Sequence, residues 1–302
     1  MKRREFLRTT AGAVALAAIA SGTLAQDQAS AHAGAHKRNI KKGIMWATVD
    51  MKGSVVEVMK AIKAAGFDGV EMMSHMNQDE VVAARDEAGL IVPSVCGAKH
   101  WDMPLTDPDP RVREAGLDAL RQTLRDAKRY GASSVLLVPG KVTAQVSYAD
   151  AWTRSQIEIR KAIPLAEELG VKIAIENVWN QFLLSPLEAA RYVDEFNSPA
   201  VGWHFDVGNV ITFGWPEQWI RILGKRIQKL HIKEYSRKKR DTGGPGKGFD
   251  VPFLEGDNNW PAVMTALDEI GYNGWGIAEQ PGADGPEGLA ELSRRMTKIF
   301  AS

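Results

Sequence analysis

From residue 40 onward, short apolar runs alternate with longer segments in which apolar residues recur every three or four positions. The short runs predict strands at "IKKGIMWA" (40–47), "GVEMM" (69–73), "IVPSVCGA" (91–98) and "SSVLLVPG" (133–140). Four more follow at "VKIAIENV" (171–178), "VGWHFDVGN" (201–209), "IQKLHIKEY" (227–235) and "GWGIAEQ" (274–280). The segments between them predict helices with one buried side, at 54–66, 77–90, 111–131, 147–170, 185–197, 216–226, 259–271 and 286–301. The first helix opens at Ser54 and closes at Gly66. The second opens at Asn77 and closes at Gly89, and the two long ones also end in glycine. Eight strand–helix units over about 260 residues predict an α/β chain closed into a single (β/α)8 barrel. An open doubly wound sheet is the alternative, but "WATVDMKGS" (46–54) after the first strand lacks the Gly-rich phosphate turn of that class.

The sixth strand carries Val201, Trp203, Phe205 and Val207 on one face and His204 and Asp206 on the other. An ionised aspartate facing a protein interior costs several kcal/mol unless something pairs with it. The other late strands end the same way. Glu176 closes "VKIAIE", His231 sits in "IQKLHIK" and Glu279 closes "GWGIAE". Barrel chemistry sits at the C-terminal mouths of the strands. Three carboxylates and one imidazole from four successive strand ends suit a single divalent cation: Mn²⁺, Mg²⁺, Co²⁺ or Zn²⁺. Taken singly, each residue is equally readable as a helix cap, an arginine partner or a hydrogen-bonded core histidine.

Composition narrows the partners. The chain has 302 residues, 44% hydrophobic and 25% charged, with net charge +1 and no basic domain, which argues against a nucleic-acid surface. Cys96 is the only cysteine, so an intrachain disulfide is excluded and a thiolate metal cluster is not expected. At the N-terminus, "KRREFLR" (2–8), "AGAVALAAIASG" (11–22) and "TLAQ" (23–26) resemble a cleavable twin-arginine signal peptide (1–25), cut after Ala25. A Sec signal that contains Arg-Arg is the plainer alternative. The apolar run is too short for a stable membrane span. The resemblance implies export by the twin-arginine translocase after folding, to the periplasm or beyond. Lys2, Arg3, Arg4 and Arg8 against Glu5 carry a net +3, so the mature chain falls from +1 to −2. Residues 26–39 read as a polar linker, in which His32 and His36 are stray metal ligands at most.

"AIEN", "HFDVGN", "LHIKEYSR" and "IAEQ" resemble the metal-binding strand ends of the xylose-isomerase-like TIM barrels, over about residues 40–301 of a barrel domain spanning 40–302. That superfamily includes the sugar phosphate isomerase/epimerase group, with ketose 3-epimerases, hydroxypyruvate isomerases and inosose dehydratases. The resemblance implies that Glu176, Asp206, His231 and Glu279 hold one divalent metal ion. It also makes Glu176 and Glu279 the catalytic acid/base pair. Arg237, six residues beyond His231, stands where the family has a substrate-contacting arginine. Glu255 opens "EGDNNW" (255–260), which resembles the family's Gly-Glu-Gly-x-x-x-Trp substrate loop. The departure is Asn209, where the family commonly has a substrate-touching histidine; Asn209 donates and accepts but carries no proton at neutral pH. Lys233, on the same strand face as His231, either adds a charge to the substrate site or is a solvated rim lysine.

Further candidates for the substrate pocket are Glu71 and His75 after the second strand, His100 in "CGAKHWD" (96–102), and Trp46 and Trp179, whose indoles suit sugar C–H faces as well as a core. The connection "KHWDMPLTDPDP" (99–110) reads as a lid or partner contact, and "SRKKR" (236–240) as a solvated basic loop. No Gly-rich phosphate loop is evident, so the expected substrate is an unphosphorylated sugar, keto-sugar or keto-glycoside. Abstracting a proton next to a carbonyl gives an enediolate, which leads to epimerisation, isomerisation or elimination according to where the proton returns. The expectation is thus a divalent-metal-dependent sugar isomerase or epimerase acting on a small-molecule carbohydrate. A lyase or dehydratase acting on a 3-keto-sugar or 3-keto-glycoside shares the chemistry. An exported non-catalytic sugar-binding barrel is the alternative of another class. A DNA-repair endonuclease of the same superfamily needs more than the four barrel histidines, His75, His100, His204 and His231, and a basic groove. A homo-oligomer is left open.

Overall fold

The computed structural model describes residues 38–302. The expected signal peptide and all but the last two residues of the expected linker, including His32 and His36, lie outside the described residues. Eight parallel strands form a closed barrel in chain order: β1 (Lys41–Met45), β2 (Gly69–Met73), β3 (Ser94–Cys96), β4 (Ser134–Leu137), β5 (Lys172–Glu176), β6 (Val201–Asp206), β7 (Ile227–Ile232) and β8 (Trp275–Ala278). β8 closes on β1 with Gly43 beside Ile277, so no strand edge is left open.

The helices follow the predicted spacing because their ends are written into the sequence. Ser54 and Glu57 form a reciprocal cap on Val55–Ala64, and Asn77 accepts from Asp79 and Glu80 at the start of Gln78–Ala88. Gly89, Gly131 and Gly170 take the left-handed conformation that ends three helices. Three expectations need correction. The third strand shortens to Ser94–Cys96, since Pro93 has no N–H to give the ladder. The sixth stops at Asp206, where Gly208–Ile211 turns into a short helix. The basic run after residue 236 is no loop: Ser236 accepts from the Lys239 amide and starts a helix at Arg237–Gly243. A two-residue parallel ladder, Val49–Asp50 with Ala283–Asp284, was also not anticipated.

Alternation decides what each strand residue meets. On β6, Trp203 and Phe205 are fully buried in the layer between barrel and helices, which holds most of the hydrophobic core. The interior holds a much smaller apolar cluster of Met45, Cys96, Leu136, Val138 and Ile277. The rest of the interior is polar: Glu71, Ser94, Ser134, His204, Lys229 and His231 are all buried. Among the described residues no helix is long and apolar enough to cross a membrane.

Candidate active site

The strand register brings the late strand ends to one level. Glu176 of β5 lies beside His204 of β6, Asp206 of β6 beside His231 of β7, and Glu279 follows β8 directly. One potential ligand atom from each of Glu176, Asp206, His231 and Glu279 lies within 4.8 Å of all the others. His231 Nδ1 is 2.9 Å from Glu176 Oε1, 3.0 Å from Glu279 Oε2 and 4.0 Å from Asp206 Oδ2.

The opposite ring nitrogen, Nε2, lies 2.8 Å from Glu71 Oε1, and Ser94 donates to the other Glu71 oxygen. Glu71 is therefore not on a substrate-facing wall. It is completely buried under His231, where it holds the ring so that Nδ1 points at the carboxylates. Glu71, His204 and His231 form a second, deeper grouping with the same close spacing. His204 is buried with both ring nitrogens unpartnered, its ring 4.2 Å from that of His231. Burial, aided by the charges of His231 and Lys229, keeps it neutral, well below the usual imidazole range.

Lys233 is not a solvated rim residue. Its ammonium lies 2.7 Å from Glu279 Oε2 and 3.0 Å from Asp206 Oδ2, with the Phe249 ring 5.1 Å away. Gly208 makes room for it: a Cβ there would stand 2.7 Å from Lys233 O and 2.8 Å from Lys233 Cβ. Asn209 lines the cavity, but its polar atoms are largely engaged. Its amide N–H donates to Asp206 Oδ1, its side-chain NH₂ donates to Asn177 O, and its Oδ1 is 3.5 Å from Lys233 Nζ. Asn177 in turn accepts from the Asp206 amide and the Trp203 indole and donates to Asp206 O. This asparagine pair, of which sequence reasoning found only Asn209, fixes the Asp206 backbone.

The cluster is short of positive charge. Desolvation raises Glu176 to about 7 against the pull of His231, with Glu279 and Asp206 pushing the same way. Desolvation likewise raises Asp206 to about 6, although Lys233 opposes it. Glu279 goes the other way: burial is outweighed by Lys233 and His231, which hold it well below the carboxylate norm. For His231 and Lys233, burial is outweighed by the surrounding carboxylates, and both are held above their usual values.

These residues fit a bound dication. Asp206 Oδ2 and Glu279 Oε2 are buried without a hydrogen-bond donor despite the nearby ammonium. The donor set of three carboxylates and one imidazole suits a hard or borderline divalent ion. With His231 neutral, as a metal ligand must be, three ionised carboxylates less the Lys233 charge leave two negative charges, which one such ion neutralises.

A cavity of about 260 Å³ opens above, lined by Glu176, His231, Lys233 and Glu279 together with His100, Trp101, Trp179, Asn209 and Phe249. His100 accepts the Val138 amide at Nδ1, and burial pushes it down to about 4, so it presents a neutral ring. Trp179 packs on Phe249 and donates to Asn209 O. Three other expected substrate contacts do not face this cavity. Trp46 begins a 3₁₀ turn and packs against the outer core. Arg237 donates to the carbonyls of Ile211 and Gly214. Glu255 pairs with Arg295 at 2.6 Å.

The loop that carries Glu255 is instead seated on Glu234, which sequence reasoning missed. Its carboxylate accepts from Leu254 N, Asn258 N and the Trp260 indole. Leu254 holds φ +71° at the place of the family pattern's first glycine. Phe249 was also missed, since nothing in "GKGFD" marks an aromatic that folds back over a strand end.

Comparison with known proteins agrees with this architecture. Residues 59–299 match the family described as xylose isomerase-like TIM barrel. The L-ribulose-5-phosphate 3-epimerase UlaE of Escherichia coli strain K12 is 26% identical over 264 residues, covering 80% of this chain and 90% of that one. The corresponding protein of Salmonella typhi is also 26% identical, with the same coverage. Among solved structures, a D-tagatose 3-epimerase-like protein is similar at a TM-score of 0.74 and 20% identity, over 87% of this chain and 97% of that one. The 3-keto-D-glucoside 4-epimerase YcjR from E. coli, in its apo form, is similar at 0.74 and 18%, over 87% and 100%. At those identities the two structures show a shared fold and nothing finer.

Proposed function

The chain belongs to the xylose isomerase-like TIM barrel family, and from that premise we propose that it is a divalent-metal-dependent epimerase or isomerase of unphosphorylated keto-sugars. One observation carries the reading: Glu176, Asp206, His231 and Glu279 converge within 4.8 Å beside a cavity that three of them line. Those four residues would hold the ion, which when bound supplies Lewis-acid stabilisation of the oxyanion formed next to the abstracted proton.

The chain's own groups then divide the proton transfers. Lys233 and His231 keep Glu279 ionised, which suits it to take a proton from the carbon next to the carbonyl. Burial raises Glu176 to about 7, which suits it to deliver one. The two come from strands on different sides of His231, an arrangement compatible with return of the proton to the opposite face of the same carbon. Lys233 balances the acids at close range, and Glu71 keeps the His231 ring in place. The curated relatives carry a phosphate in their named substrate. Here Lys233 is the one lysine or arginine on the cavity wall among the described residues, and two carboxylates already claim it. That favours an uncharged sugar.

The test is incubation of the purified protein, with and without Mn²⁺, with ketoses in D₂O. Deuterium should enter at the carbon next to the carbonyl, seen by NMR, and chelation should abolish the exchange. Release of water or an aglycone with no label in recovered sugar would replace this reading with the lyase. From the Arg3-Arg4 pattern we also place the enzyme outside the cytoplasm, which a mature N-terminus at Gln26 in the periplasmic fraction would support.

A further inference from the structure

A second cavity of about 320 Å³ lies on the far side of Trp179 from the acid cluster. Val178, Trp179 and Asn209 line both cavities, so the two share a wall. Their chemistry differs sharply. No charged side chain lines the second cavity; its surface comes chiefly from Trp179, Leu183, Leu184, Phe213 and Trp219. Leu183 and Trp219 are buried, whereas Leu184 and Phe213 are 53% and 55% exposed at the mouth. A contiguous apolar surface left open beside a polar site is the mark of a ligand-binding groove.

The loop that builds this surface is held in shape. Gln181 and Leu183 both sit at φ +56°, a left-handed conformation unfavourable for either residue. Asn180 pins the loop from beneath by donating to Gly140 O and accepting from Phe182 N, and the Leu183 amide donates to the Tyr148 hydroxyl. Strain of this kind persists where surrounding contacts over-determine it, and it clusters at ligand clamps. Alone, the polar cavity has room for little more than one sugar ring. Joined across Trp179, the two reach the roughly 300–1,000 Å³ range of sites that enclose a larger ligand.

We infer that the apolar cavity is a subsite for an uncharged, apolar aglycone, so that the substrate class is a keto-sugar bearing an aryl or alkyl group in glycosidic linkage. This rests on the proposed enolate chemistry. The sugar occupies the polar cavity beside Glu176 and Glu279, and the aglycone crosses Trp179 to lie among Leu183, Leu184 and Phe213. The aglycone stays attached throughout; it contributes binding and takes no part in bond changes.

The test compares phenyl and methyl keto-glycosides, with a free ketose as reference, on the Mn²⁺-loaded full-length protein. The wild type should show kcat/KM at least tenfold higher for the phenyl than for the methyl compound, carried in KM. Leu184→Asp, at an exposed position that tolerates a charge, and Phe213→Ala should each bring that ratio close to one. If the free ketose exchanges deuterium but the wild-type ratio is already near one, the subsite is refuted and the proposed function stands. If no compound exchanges deuterium, the enolate reading fails, and calorimetry still decides the subsite: the phenyl glycoside must bind at least tenfold more tightly than the methyl one. A mass by sedimentation that halves in Leu184→Asp would overturn the inference by showing that a second copy covers this surface.

Discussion

Replacing Lys233 with methionine separates the two cations that the acid cluster invites. Methionine keeps an unbranched apolar stem while removing the charge and its contact with the Phe249 ring. The ammonium stands 2.7 Å from Glu279 Oε2 and 3.0 Å from Asp206 Oδ2. At an effective dielectric near 20, each contact is worth about 6 kcal/mol of Coulomb energy before the cost of desolvating the lysine. Removing one member of a buried charged group typically destabilises by about 3–5 kcal/mol. The metal-free Lys233→Met protein, in EDTA, should therefore lose about that much in urea unfolding. A ligand that binds only the folded state returns about 4 kcal/mol at a thousandfold excess over its Kd. Saturating Mn²⁺ should then restore most of the loss and stabilise the variant more than the wild type. Because the lysine charge repels an incoming dication, the variant should also bind Mn²⁺ at least tenfold more tightly by calorimetry. Two results would refute the reasoning. One is a metal-free variant as stable as the wild type. The other is weaker Mn²⁺ binding by the variant, which would show that the lysine charge does not oppose the incoming ion.

Further outcomes are expected elsewhere in the barrel. Glu71→Gln removes the charge that orients His231 and should weaken Mn²⁺ binding by about 10- to 100-fold, measured by calorimetry on protein whose melting in EDTA shows that it remains folded. Glu176→Gln and Glu279→Gln should each reduce deuterium exchange into a ketose by about 10²–10⁴-fold, read by NMR at saturating Mn²⁺. His100 titrates at about 4 in the fold against an ordinary 6.5. The unfolded chain therefore takes the proton first as pH falls, and stability should drop between pH 6.5 and 4 by up to about 3 kcal/mol. His100→Asn keeps an acceptor for the Val138 amide, and its urea midpoints should be flatter across that window.

The barrel was legible because its signals are local and repeated. Eight apolar runs, each followed by a capped amphipathic helix, admit few arrangements. The acid cluster was legible for a related reason: each member stands at or next to a strand end, and parallel strands in register bring their ends together. Residues whose roles depend on contacts between distant loops were not legible. Glu71 was read as a candidate for the substrate pocket, and only barrel closure shows that it sits beneath His231 from the opposite side. Arg237 matched a family position, yet a helix beginning at that residue directs its guanidinium to the carbonyls of Ile211 and Gly214. Glu234 gave no signal at all. It is a carboxylate next to Lys233, and its three donors come from a loop twenty to twenty-six residues further on.

The polar interior follows an order that explains why it is tolerated. Lys229 lies deepest, its ammonium donating to Ser133 Oγ, and burial lowers it to about 8 even though Glu71 pulls the other way. Above it stand Glu71, then His231, then the three strand-end carboxylates, and Lys233 caps them. Signs alternate along this column, so each charge is opposed from at least one side. An apolar interior would be cheaper, as the ordinary layers of branched side chains in such barrels show. The outer layer between strands and helices carries the apolar burial that offsets the cost. The column needs one thing that the chain does not supply. With His231 neutral, as a metal ligand must be, the three carboxylates outnumber Lys233 by two charges; burial first, and then their mutual repulsion, raises Glu176 and Asp206. A dication placed there removes the excess and lowers both. The same imbalance that makes the metal-free cluster reluctant to ionise is what makes it a receptor for the ion.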